Sequence, residues 1–155
     1  MNISPTLTPA RQLGVFRFVK RDVGKGHRKS DLGDCTVRAL VIAAGLRYDT
    51  AWQLLYEAQG RHQTTGFELS HFLRVEPNTF GVVRQFDFPA ERGFPRMTAA
   101  AFAALYPRGS YILRLAGHVS AMEDGALYDS WDCSQRCIYT AWEIDPATVQ
   151  RRAAS

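Results

Sequence analysis

Gly117-His118-Val119-Ser120-Ala121-Met122-Glu123-Asp124-Gly125-Ala126-Leu127-Tyr128-Asp129-Ser130-Trp131 is the stretch whose reading decides the fold. Asp124-Gly125 is a strong hairpin signal, because a two-residue turn of this kind needs side chains that tolerate positive φ. The flanks predict strands over 118–122 and 126–131. With Asp124 and Gly125 as the turn residues, Glu123 faces Ala126, Ser120 faces Asp129 and His118 faces Trp131. Side chains alternate along a strand, so His118, Ser120, Asp129 and Trp131 share one face. Asp129 is then the diagonal neighbour of His118, within reach of a ring nitrogen. Asp132 falls on the other face. A one-residue slip in register would reverse that choice.

Working outward, 110–115 and 136–144 read as further strands, which makes the C-terminal third an antiparallel meander. Residues 79–88 predict another strand. Residues 95–106 are Ala-rich and read as a helix, with Thr98 as its cap and Pro107 beyond its end. Upstream, Val37, Leu40, Val41 and Ala44 recur at helical spacing, and Gly45 suits the helix end. Asp49 and Thr50 announce a second helix carrying Trp52, Leu55, Tyr56 and Gln59, closed by Gly60. A shorter helix covers 68–74. Residues 14–19 predict a short strand, and 20–34 a loop rich in Gly, Lys, Arg and Asp. Helices first and strands after define an α+β fold, with helices packed on an antiparallel sheet. The whole of 1–155 is expected to form one domain. Segments 1–10 and 150–155 are expected to be peripheral or flexible.

Composition excludes several classes. The 155 residues are 46% hydrophobic and 12% aromatic, enough to fill one core and too apolar for a disordered chain. The formal charge is +4. Part of that excess sits in 20–29 and in Arg151-Arg152, with no nucleic-acid motif beside it, so it reads as a solvated surface and nucleic acid is not an expected partner. The three cysteines are Cys35, Cys133 and Cys137, an odd count that describes no disulfide framework and suits a reducing compartment. Cys133 and Cys137 lack the spacing of a zinc pair and have no second ligand pair, so neither a metal nor a cofactor is expected. No signal-like start and no membrane-length apolar run occur. A cytoplasmic protein is the expectation, and the oligomeric state is left open.

Cys35 is the candidate nucleophile. It follows Gly33-Asp34 and opens the first helix, where the positive end of the helix dipole favours a thiolate. Its backbone N–H is one of the unpaired donors of the helix start and can form half of an oxyanion hole. His118 is the candidate base and Asp129 the carboxylate that orients it. His27, His62 and His71 read as surface residues. Trp52, Trp131 and Trp142 could line a substrate groove, although tryptophans at such positions are more often core; Trp131 and Gly117 are the groove candidates chosen.

Two segments carry a family likeness. Gly33-Asp34-Cys35-Thr36-Val37-Arg38-Ala39-Leu40 resembles the nucleophile segment of ovarian-tumour-type deubiquitinases. Gly117 to Met122, continued by Tyr128-Asp129-Ser130-Trp131, resembles the His-strand-turn-strand-Asp unit of papain-like cysteine peptidases, including the bacteriocin-processing branch. The resemblance implies a papain-like fold and a Cys35-His118-Asp129 triad that cleaves peptide or isopeptide bonds of a protein or peptide substrate. The chain departs from both patterns before the cysteine. Leu32 stands where the deubiquitinases carry an acid, Asp31 lies one step earlier, and no glutamine lies between Leu13 and Asp34. The second oxyanion donor is therefore sought among Ser30, Asp31 and the backbone around Asp34. Two other readings share the fold. One is acyl transfer on the same triad. The other is an inactive binding module, such as a phage protein engaging a host factor, in keeping with a bacterial or phage source.

Overall fold

The computed structural model describes residues 16–21, 34–58 and 69–154. Within them lie five helices and one six-stranded sheet. In chain order these are β1 (Arg17–Lys20), α1 (Cys35–Ala44), α2 (Tyr48–Ala58), α3 (Leu69–Val75), β2 (Val82–Asp87), α4 (Ala99–Leu105), β3 (Ser110–Leu115), β4 (His118–Glu123), β5 (Ala126–Asp129), β6 (Ile138–Ile144) and α5 (Pro146–Ala154). The α+β expectation stands at this level.

The hairpin forms as its turn signal dictates. Asp124 and Gly125 have φ of 47° and 79°, and Glu123 pairs with Ala126. Both central residues at positive φ give the primed turn that matches strand twist. The β4–β5 ladder continues through Met122–Leu127 to Ala121–Tyr128 and stops there.

The sheet order is β1-β5-β4-β3-β6-β2. This corrects the expected meander. β3, β4 and β5 are consecutive neighbours, but β6 returns across them to pair with the far edge of β3. Hydrophobic alternation fixes which face a strand presents, not which neighbour it takes. β1 lies parallel to β5 and the remaining pairs are antiparallel.

Alternation along the strands feeds two cores. Ile112, Ala121, Trp142 and Ile144 pack with α1, α2 and α3 on one face. Tyr111, Leu113, Leu115, Met122, Leu127 and Ile138 pack with α4 on the other. Helices therefore cover both faces. α1 is buried on nearly every side, from Thr36 and Val37 through Ala44, which is the pattern of a central rather than a surface helix. The segment expected to be helical over 95–106 is helical only from Ala99, with Thr98 Oγ1 accepting from Ala101 N at 3.1 Å. Residues 150–154, expected to be peripheral or flexible, form the second half of α5 and are mostly exposed. Val149 is fully buried, and Gln150 Nε2 donates to Ala44 O at the end of α1. The expected loop and terminal segments over 1–15 and 22–33, and the end of the second helix at Gln59 and Gly60, lie outside the described residues.

Candidate active site

α1 and β4 deliver the site from opposite sides of the sheet. His118, Ser120 and Met122 lie on the α4 face, opposite Leu115, Leu113 and Tyr111. Val119 and Ala121 lie on the α1 face. Because the β4–β5 ladder ends at Ala121–Tyr128, the β5 side of 118–120 is open. Cys35, the first residue of α1, reaches into that opening. It lines one narrow cavity with Val119, Ser120 and Asp129, and the His118 imidazole and the Val119 backbone are close enough to lower the pKa of its thiol.

The imidazole is held on its other side. His118 Nε2 and Asp129 Oδ2 are 2.7 Å apart. With Nε2 engaged by the carboxylate, Nδ1 is the ring nitrogen left to face the thiol. Asp129 is itself tightly held, being only 7% exposed. Ser120 Oγ donates to Oδ2 at 2.6 Å, and the Ser130 backbone N–H donates to Oδ1 at 2.7 Å. Cys133 Sγ adds a contact to Oδ2 at 3.6 Å. A buried carboxylate needs such donors to remain ionised. The Trp131 ring packs beside His118 at a centroid distance of 5.0 Å, tilted 47° to it. Trp131 is still 41% exposed, and Arg136 stacks on it.

The electrostatics follow from this packing. Burial alone would raise the Cys35 thiol. The hydrogen bonds from His118 and Val119, together with the imidazolium charge, outweigh it and hold the thiol below its ordinary value. For His118, burial opposes protonation. Hydrogen bonds to Asp129, Cys133 and Cys35 and the Asp129 charge win, and its pKa is pushed up to about 11. Burial would likewise raise Asp129, but the bonds from His118 and Ser120 keep it below the usual carboxylate range. All three directions favour a thiolate–imidazolium pair beside an ionised carboxylate.

The structure thus brings Cys35, His118 and Asp129 together, with Trp131 against them. Gly117 sits in the β3–β4 turn at φ 64°, with nothing within 4 Å of the position a Cβ would take, so it forms an open lip beside His118. Asp34 caps α1 in sequence only. Its side chain makes no cap bond. The carboxylate instead accepts from Arg38 Nε at 3.0 Å and from Tyr48 OH at 3.0 Å. Its side chain is thus engaged within the fold, by the helix it precedes and by Tyr48. Its backbone contribution, the start of α1, remains. Ser30 and Asp31 lie outside the described residues. Asp132 is exposed and bonds the Ser134 N–H, away from His118. Trp52 and Trp142 are core, and His71 is exposed. His27 and His62 fall outside the described residues.

Sequence reasoning gave no role to Ser120, Ser130, Cys133 or Arg21. Alternation puts Ser120 opposite Asp129, and that signal was sufficient to find it. Cys133 has no comparable signal, since its approach depends on how the segment after β5 folds back. Arg21 lines the same narrow cavity as Cys35. Its backbone N–H donates to Asp129 O at 2.8 Å, which extends the β1–β5 contact to the site. Among the described residues one group of side chains has the donors and spacing to hold a metal ion: His118, Asp129 and Cys133. No family model, no curated protein and no solved structure matches the chain.

Proposed function

We propose that the protein is a papain-like cysteine hydrolase that cleaves peptide or isopeptide bonds through Cys35, His118 and Asp129. One observation carries this reading. A helix-opening thiol and a buried carboxylate contact the same imidazole, with Asp129 Oδ2 2.7 Å from its Nε2. A structural histidine needs one partner. A thiol on one side and an ionised carboxylate on the other is the arrangement that activates a nucleophile.

In this mechanism the Cys35 thiolate attacks the scissile carbonyl. The oxyanion forms at the start of α1, where the first N–H groups of the helix have no intrahelical acceptor. The His118 imidazolium gives its Nδ1 proton to the leaving amine, and a thioester joins the acyl group to Cys35. Water then attacks the thioester while neutral His118 accepts its proton. The acid is released and the thiolate–imidazolium pair is restored. Asp129 stabilises the charged ring and fixes its orientation throughout. An amine in place of water would make the same centre an acyltransferase, so adding amines to a working assay and looking for adducts separates the two.

The test is iodoacetamide labelling of Cys35 between pH 5 and 9, read by mass spectrometry, in wild type and His118→Ala. Fast labelling well below the ordinary thiol pKa of about 8.5, lost in the variant, is expected. Labelling that rises only near that value in both proteins would overturn the proposal.

A further inference from the structure

Cys133 is the one thiol at the site that the hydrolytic reading leaves without a task. It is 1% exposed and lies 3.6 Å from Asp129 Oδ2. One donor atom from each of His118, Asp129 and Cys133 lies within 4.8 Å of the other two. These are a nitrogen, an oxygen and a sulfur.

Zinc takes these donor types at about 2.0–2.3 Å in a tetrahedral array, which sets its ligand atoms about 3–4 Å apart. Of the separations on Asp129 Oδ2, 3.6 Å already falls in that spacing and 2.7 Å lies just short of it, and the third ligand pair is within 4.8 Å, so side-chain shifts of about an ångström admit the ion. Donor chemistry selects among metals. A thiolate with an imidazole disfavours magnesium and calcium and suits zinc. Charge selects again. One thiolate and one carboxylate neutralise a divalent cation, so the loaded site buries no net charge.

We propose that His118 Nε2, Asp129 Oδ2 and Cys133 Sγ form a zinc site, and that zinc held there switches the hydrolase off. Binding releases two protons to solvent, one from the Cys133 thiol and one from His118 Nε2. The Nε2 lone pair then goes to the metal. Nδ1 keeps its proton, but the ring is no longer an imidazolium, and Cys35 loses the charge that stabilises its thiolate. The fourth position on the metal is left to water. The zinc site stands on geometry alone, while its inhibitory effect rests on the proposed triad.

The first experiment titrates cobalt(II), a spectroscopic stand-in for zinc, into the full-length, chelator-stripped protein. The chain has three cysteines, so Cys35→Ala combined with Cys137→Ala leaves Cys133 as its only thiol. A thiolate-to-metal charge-transfer band at one metal per chain is expected in wild type and in this double variant. Zinc should abolish it by displacing cobalt. Cys133→Ala should weaken zinc binding by at least about tenfold, measured by competition with a chromogenic chelator. Absence of the band in the double variant would overturn the site, and would do so without relying on a Cys133 substitution that could disturb the core.

The second experiment measures Cys35 alkylation of wild type at pH 6 with and without zinc. Slowing by zinc, reversed by chelator, is expected. Zinc binding that leaves fast alkylation untouched overturns the inhibition. A cobalt band in a protein whose Cys35 behaves as an ordinary thiol overturns the hydrolase reading and leaves the metal site standing.

Discussion

Asp129 acts on Cys35 in two opposed ways. Its negative charge disfavours a nearby thiolate directly, and its bond to His118 favours the imidazolium that stabilises that thiolate. The His118 contribution is the larger, since the direct repulsion is the weakest of the influences on Cys35. Asp129→Asn keeps the shape of the side chain and removes the charge. It should therefore slow iodoacetamide labelling of Cys35 at pH 6 by about tenfold or more and move the labelling profile toward about pH 8.5. A faster reaction in the variant would mean that direct repulsion dominates. The candidate triad was legible at this scale because a two-residue turn fixes a register and a register fixes a face. Ser120, Asp129 and Trp131 all fall where the count from Asp124-Gly125 puts them. Cys133 was not legible, because its position depends on a return path of the chain that no local pattern encodes. The partners of the Asp34 carboxylate were not legible for a related reason. Its partner Tyr48 lies on the next helix, and only tertiary packing brings the two together.

Elements with local signals formed as expected and those set by distant partners did not. Gly45 ends α1, Thr98 caps α4 and the hairpin closes at Asp124-Gly125, each from chemistry within a few residues. The placement of β6 beside β3 joins strands separated by two others, and strand propensity cannot order them. α5 is a different case. Asp145-Pro146 carries a helix-start signature, with Asp145 accepting from Thr148 Oγ1 at 2.7 Å, and the sequence reading ended its last strand there without assigning a helix. The joint between β2 and this helix is sterically tight. Gly81 has φ 65°, and a Cβ there would lie 2.7 Å from Asp145 O. Gly117 has nearly the same φ and open space around it. A left-handed conformation costs a non-glycine residue about 1–2 kcal/mol, so Gly117→Ala should lose about that much. Gly81→Ala should lose clearly more, because the backbone must also move. Urea unfolding of the two variants makes the comparison, and equal losses would show that the joint yields freely.

The stability of the whole molecule should carry the signature of the His118–Asp129 pair. His118 has a folded pKa of about 11, above its unfolded value of about 6.5. Its contribution is therefore complete below about pH 6.5 and is lost progressively as pH rises toward 11. Asp129 runs the other way. Its folded pKa is depressed, so its contribution is present above the ordinary carboxylate range and is lost as pH falls through the lowered value. In chelator-treated protein, the stability gap between wild type and His118→Gln should be widest near pH 6 and shrink steadily toward pH 10. A gap that does not change over this range would mean that the imidazole titrates normally in the fold. None of the helices among the described residues is long and apolar enough to cross a membrane. The parallel pairing of β1 with β5 has a consequence for how the molecule assembles. It closes the longest loop in the sheet, and contacts of such high sequence separation form late in folding because the entropy of closure must be met before they reward it. β3, β4 and β5 can nucleate locally, carrying His118 and Asp129 with them. β1 arrives afterwards and brings Arg21 to the wall of the cavity around Cys35. A chain emerging from the ribosome thus exposes its thiol long before the base and carboxylate exist, and the Arg21 wall of the cavity is added only when the first strand docks on the β4–β5 hairpin.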